Sequence, residues 1–192
     1  EGQDSTIGVG AIMYGAEITV KDGESVGGIV GNMYSGNAEY VYINRAESRA
    51  KLSAQYCVGG IIGAVGQGSI ELTTQGTNGM YNTGDITGVS YVGGCVGFMG
   101  FTAGSHNDFP EETDFTNHVT YLTATGRGTL TCTGREIRND GNVYGASEIG
   151  TSRDIGVGGI VGYSTGTITG YGSRNYGDII APNANYVGGI YG

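Results

Sequence analysis

Apolar residues fall in short clusters along this chain rather than in long stripes, and one cluster is written repeatedly. Val26 to Gly31 reads VGGIVG, and close variants begin at Val58 (VGGIIG), Val92 (VGGCVG), Val157 (VGGIVG) and Val187 (VGGIYG), with a looser form at Val9 (VGAIMY). No window of about a dozen residues carries a 3.6-residue apolar period free of glycine, whereas groups of four to six β-prone residues bounded by Gly, Asn, Ser and Thr recur throughout. The pattern predicts an all-β chain.

From Val9 the motif starts are separated by 17, 32, 34, 65 and 30 residues. These lie close to one, two, two, four and two units of roughly 16 residues. Strands this short cannot bury a face alone, so they are expected to stack as a parallel β-solenoid with coils of roughly 16 residues. About twelve coils at ~4.8 Å each would make a rod about 55–60 Å long. Two lesser elements ride between the copies. Asn-x-Gly followed by Asp or Asn and a β-branched residue occurs at Asn82 (NTGDIT), Asn139 (NDGNVY) and Asn175 (NYGDII), with a degenerate form at Asn44 (NRAESR). It reads as a turn feeding a strand. Gly-x-Ile segments at Gly68 (GSIEL) and Gly166 (GTITG) read as further short strands.

Paired glycines cost about 0.5–1 kcal/mol each relative to Ala inside regular structure, so the architecture must require them. A narrow solenoid does, at its corners and in its crowded interior. Alternation of faces within the motif places the Ile slot (Ile12, Ile29, Ile61, Cys95, Ile160, Ile190) inward and the Val residues on the opposite face. The following slot (Met13, Val30, Ile62, Val96, Val161, Tyr191) is expected to pack more loosely.

Composition narrows the function classes. Gly supplies 40 of 192 residues and Pro only 2, without a G-X-Y period, which excludes collagen. An apolar content of 38% with 14 Tyr provides core material that disordered chains lack. A formal charge of −9 argues against nucleic acid as a partner and suits an extracellular setting. No apolar run approaches the ~18–20 residues of a membrane span, so membrane insertion is not expected. Cys57, Cys95 and Cys132 form no C-x-x-C pair and have no histidine placed to complete a zinc set. They are expected to pack as small buried groups, with one disulfide and a spare thiol as the alternative. The opening EGQDSTIG and the ending YVGGIYG are those expected of a part excised from a longer polypeptide.

These strings, above all VGGIVGYSTGTITGYGSRNYGDI from Val157 to Ile179, resemble the GLUG repeat. That Gly-Leu-x-Gly type motif occurs in large bacterial surface proteins, including adhesin-like proteins and the non-catalytic stalks of IgA-cleaving metallopeptidases. Ile or Cys stands here where Leu is usual. The resemblance covers most of the chain as one solenoid domain over residues 1–192, departing at an irregular insertion around 98–135. It implies a right-handed β-helix, a bacterial source, secretion and no catalytic residue.

Candidate chemistry is sparse. His106 and His118 are the only histidines, and both lie in the excursion Phe101 to Leu122 with Asp108, Phe109, Glu111, Glu112, Asp114 and Phe115. There is neither an H-E-x-x-H spacing nor the D-x-D-x-D-G order of a calcium loop, so no metal or cofactor is expected. The excursion is either a solvated loop or, since insertions in solenoids project as binding loops, the contact for a glycan or a surface protein. Arg135, Glu136, Arg138, Asp140, Arg153 and Asp154 are the grouping a polysaccharide lyase or hydrolase would need, and salt-linked surface charge explains them more simply. Tyr56, Tyr91 and Tyr186 precede the motif and Tyr34, Tyr163 and Tyr171 follow it, either covering corners or forming a sugar-stacking strip. The sequence thus points to a non-catalytic structural or adhesive segment of a bacterial cell-surface or secreted protein. The alternatives are a carbohydrate-active β-helix enzyme and a subunit that self-associates end to end through uncapped strand edges.

Overall fold

A computed structural model of the chain describes residues 5–7, 11–21, 25–34, 40–43, 45–66, 70–74, 79–103, 122–123, 128–132, 136–145, 155–164, 167–170 and 172–192. Among these the secondary structure is strand alone, arranged in five sheets. The chain visits the sheets in a fixed order, A to E, and then begins the circuit again.

Sheet A holds Ser5–Ile7, Tyr40–Ile43, Ile70–Thr74, Gly128–Cys132 and Thr167–Gly170. Sheet B holds Ala11–Met13, Ala46–Ser48, Met80–Asn82, Ile137–Asn139 and Arg174–Asn175. Sheet C holds Glu17–Thr19, Lys51–Ser53, Ile86–Thr87, Val143–Tyr144 and Ile179–Ile180. Sheet D holds Val26–Gly27, Tyr56–Gly59, Ser90–Gly93, Gly156–Gly158 and Tyr186–Gly188. Sheet E holds Val30–Tyr34, Ile62–Gly66, Val96–Ala103 and Val161–Ser164, extended by a bridge from Val161 to Tyr191. All of these pairings are parallel, and Leu122–Thr123 alone runs antiparallel, against the end of Val96–Ala103. The chain is a parallel β-solenoid, as its strand pattern predicts.

The coil is twice as long as the spacing suggests. Val26, Val58, Val92, Val157 and Val187 stack in one column of sheet D, so one circuit takes 30 to 34 residues where no insertion intervenes. There are five coils, and at ~4.8 Å per coil the stack is about 24 Å tall rather than 55–60 Å. The half-unit came from Val9, which is no copy of the motif. Its neighbours Ala11 and Met13 pair with Ala46 and Ser48 in sheet B, two sheets away from the glycine pairs. The 65-residue gap is likewise one coil, with sheet E running to Ala103 and sheet A resuming at Gly128.

The face assignment also changes. Val58, Ile61 and Ile62 are all fully buried, as are Val92, Cys95 and Val96. Strict alternation fails because the chain bends at the glycine pair, turning from sheet D into sheet E, so both flanks of the bend look inward. The first glycine closes this bend, since a Cβ on Gly59 would collide with the Ile62 carbonyl. Ile12 lies outside this column and pairs with Glu47. Side chains from sheets B and E form one core, including Met80, Ile137, Ile61 and Ile62, while those from sheets C and D form another, including Leu52, Ile86, Val58 and Val92.

Between the coils runs a buried polar ladder. Asn82, Asn139 and Asn175 stack in sheet B, with Ser48 below Asn82 and Met13 below Ser48. Asn82 Nδ2 donates to Asn139 Oδ1 at 2.7 Å, and Asn139 Nδ2 donates to Asn175 Oδ1 at 2.8 Å. Each Nδ2 also donates, at 2.7 Å, to the carbonyl two residues on, at Gly84, Gly141 and Gly177 respectively. These asparagines therefore both hold the turn and join successive coils. The slot of Asn82 in the second coil belongs to Ser48, while Asn44 lies outside the described residues. The second glycine of the motif makes room for this ladder: a Cβ on Gly60 would strike Asn82, and one on Gly94 would strike Asn139.

Candidate functional site

The eight residues expected to form a ligand loop, His106, Asp108, Phe109, Glu111, Glu112, Asp114, Phe115 and His118, lie outside the described residues. So do Arg135, Arg153 and Asp154 of the second candidate grouping. Three places carry the remaining chemistry.

The first is an ion network on the outer face of sheet B. Arg138 holds Asp140 with two hydrogen bonds of 2.7 Å, and Glu136 lies 3.8 Å from Arg138 and 3.2 Å from Arg174. The Arg138 guanidinium also covers the Tyr176 ring, 4.9 Å from its centroid. The hydrogen bonds that Arg138 donates to Asp140 raise its pKa further above the ordinary value and favour the charged guanidinium. The motif recurs in the second coil, where Arg49 holds Glu47 at 2.7 Å and lies 4.8 Å from the Tyr14 ring centroid. Glu136 and Asp140, the two described carboxylates of the candidate grouping, are occupied by guanidinium, an arrangement that straps adjacent coils. Because these groups are solvent-screened, Arg138→Met is expected to leave the unfolding midpoint essentially unmoved in denaturant titration.

The second is the thiol pair. Cys57 and Cys95 are buried, and Cys95 Sγ donates to the Arg138 carbonyl at 3.4 Å. Burial pushes the Cys95 thiol far above its usual pKa, which removes it as a nucleophile or metal ligand at neutral pH. Neither thiol is expected to react with a disulfide reagent until the protein unfolds. Kinetic labelling in native buffer and in denaturant checks this. Among the described residues, no group of three or more His, Cys, Asp or Glu is arranged to hold a metal ion.

The third is aromatic. Tyr91 is buried with Cys57, Ala64 and Phe98, and Tyr56 and Tyr163 are half-buried against them. Phe98 and Tyr163 stack with centroids 5.2 Å apart, and Tyr91 meets Phe98 edge-on at 5.0 Å. Cys57 and Tyr91 reach this cluster through positive φ values of 49° and 56°. The described tyrosines thus form no continuous exposed strip, since Tyr56 pairs with Ser90 and Tyr186 with Gly156. Tyr34 and Tyr171 are not among the described side chains.

Where the aromatic column reaches the fifth coil it opens into a cleft of about 560 Å³ lined by Tyr163, Asn185, Tyr186, Val187, Tyr191 and Gly192. Tyr191 donates its hydroxyl to the Ser164 carbonyl at 2.6 Å. Val187 is 53% exposed, although its column partner Val157 is fully buried. From the sequence, uncapped strand edges are expected here but not this cleft, because coil five repeats the same letters as the coils beneath it. The chemistry it offers is recognition through apolar and phenolic surface and the Asn185 amide.

Comparison with protein-family models, with curated proteins and with solved structures finds no match to this chain.

Proposed function

We propose that the chain is a non-catalytic structural and adhesive segment of a bacterial cell-surface or secreted protein, in which a GLUG-like solenoid carries the 101–122 loop as its ligand contact. The observation that carries this reading is the asparagine ladder. Its polar side chains are committed to joining one coil to the next, which is how a chain spends polar groups when its task is to hold a shape. The acidic balance of −9 and the sparse surface charge agree with an extracellular location. A glycan or a protein on a host or environmental surface is the partner that the aromatic, histidine and carboxylate groups within residues 101–122 would suit.

The test is a glycan and extracellular-matrix array probed with the chain and with a variant whose residues 101–118 are replaced by a short Gly-Ser turn. Binding that disappears in the variant supports the adhesive role of the loop. Equal binding by both moves the contact elsewhere on the solenoid, and release of sugar fragments from any array component would replace the structural reading with an enzymatic one.

A further inference from the structure

Charged groups serve differently on the outer faces of sheets B and C. On sheet B the guanidinium groups of Arg49, Arg138 and Arg174 are each held by a carboxylate, of Glu47, Asp140 and Glu136 respectively. On sheet C, Glu17, Lys51 and Asp85 occupy successive places in one column: Glu17 pairs with Lys51, and the pairing of Leu52 with Ile86 sets Asp85 beside Lys51. Strand neighbours stand about 4.8 Å apart, within reach of an ion pair. Among the described residues, however, the Lys51 ammonium makes none. The column continues as a hydrogen-bonded ladder, in which Asp85 Oδ1 accepts the Asn142 backbone N–H at 2.9 Å and Asn142 Oδ1 accepts that of Asp178 at 3.0 Å. Lys51 holds the place before Asp85 and has no acceptor to offer, so its side chain stays out of the ladder.

A second outward column runs beside the first. Ser53 pairs with Thr87 and Thr87 with Tyr144, on the same side of strands whose intervening Leu52, Ile86 and Val143 are buried. Ser53, Thr87 and Tyr144 are half-buried, and among the described residues no hydrogen bond engages their hydroxyls. The two columns line a groove of about 200 Å³. Its centre, from Lys51 to Tyr144, belongs to coils two, three and four, each with a coil packed on either side.

We propose that this groove is a binding site for a neutral, hydroxyl-rich glycan, held without covalent chemistry. Lys51 only donates, the carboxylates of Glu17 and Asp85 only accept, and the hydroxyls of Ser53, Thr87 and Tyr144 do both. A sugar hydroxyl also donates and accepts at once, so neighbouring hydroxyls of one ring can satisfy an ammonium and a carboxylate side by side, through strong charge-assisted bonds. The Tyr144 ring adds an apolar face with a polar tip. Charge selects a neutral ligand. One cation between two carboxylates leaves the groove acidic, in a chain of formal charge −9, which repels a polyanion, and Lys51 opposes a metal ion. This site goes beyond the reading of residues 101–122 as a ligand contact and stands or falls apart from it.

The test titrates the full chain with cellopentaose, maltopentaose, mannopentaose and xylopentaose, and with pentagalacturonate as the acidic counterpart, by calorimetry and NMR shift mapping. At least one neutral probe is expected to bind saturably, with amide shifts clustered on Lys51, Ser53, Asp85, Thr87 and Tyr144. Lys51→Met is expected to weaken that binding about tenfold or more, as loss of hydrogen bonds from a charged donor implies, with the unfolding midpoint unmoved. Thr87→Val, which removes a hydroxyl and keeps the shape, is expected to weaken it in the same direction. Arg49→Met on sheet B and replacement of residues 101–118 by a Gly-Ser turn should both leave it unchanged. Absence of saturable binding by every neutral probe overturns the proposal, as does binding that Lys51→Met and Thr87→Val do not alter. Binding that disappears with residues 101–118 belongs to that loop and overturns the assignment to sheet C. Tighter binding of pentagalacturonate than of any neutral probe overturns the ligand class.

Discussion

Replacing Asn139 with leucine is expected to lower the unfolding free energy by about 3–5 kcal/mol in a denaturant titration. Asn139 is fully buried and makes hydrogen bonds in three directions: it accepts from Asn82, and it donates to Asn175 and to the Gly141 carbonyl. Leucine leaves those groups without partners, at about 1–3 kcal/mol for each buried polar group, and burial of its apolar carbon offsets only part of the loss. It must also fit where the second glycine of the motif, Gly94, already touches the asparagine side chain closely enough to exclude a Cβ. The same change at Asn82 is expected to cost a similar amount. The double variant should cost less than the sum, since the Asn82 to Asn139 bond can be lost only once.

A glycine pair at equivalent places in successive coils gives the second large effect. Gly159→Ala is expected to destabilise by more than about 3 kcal/mol or to prevent folding, because the new methyl group would collide with the Gly189 carbonyl and the Asn175 side chain. Gly189→Ala is expected to stay within about 0.5 kcal/mol, since nothing lies within 4 Å of its Cβ position. Intrinsic glycine-to-alanine effects are common to both substitutions, so the difference between their thermal or denaturant midpoints reports the stacking of the coil above. Equal effects at the two sites would mean that the glycine pair serves the bend alone.

The repeat, the absence of helix from the pattern and the stacking of short parallel strands were legible because a solenoid writes its column positions directly into the letters. The coil length was not. Five short strands share each circuit, so apolar clusters recur faster than the chain closes, and the chance likeness of VGAIMY to the true motif suggested a half-period. The facing of the motif was misread for a related reason: alternation assumes a continuous strand, and Gly59 and Gly60 interrupt it, which leaves Val58 and Ile61 both inside. Asparagine beside glycine reads correctly as a turn, but its second task appears only when coils are stacked in register and one amide meets the next. The charged grouping around Arg138 was visible as a cluster, and its strapping role came from neighbours in other coils, Arg174 and Tyr176.

The ladder that defines the coil register is best tested by side-chain amide hydrogen exchange, followed by NMR on the intact chain. The account predicts slow exchange for the Nδ2 protons of Asn82 and Asn139, each held by two acceptors, and faster exchange for the proton of Asn175 that faces away from the stack. Equally rapid exchange of all three amides would contradict a five-coil solenoid joined through these asparagines.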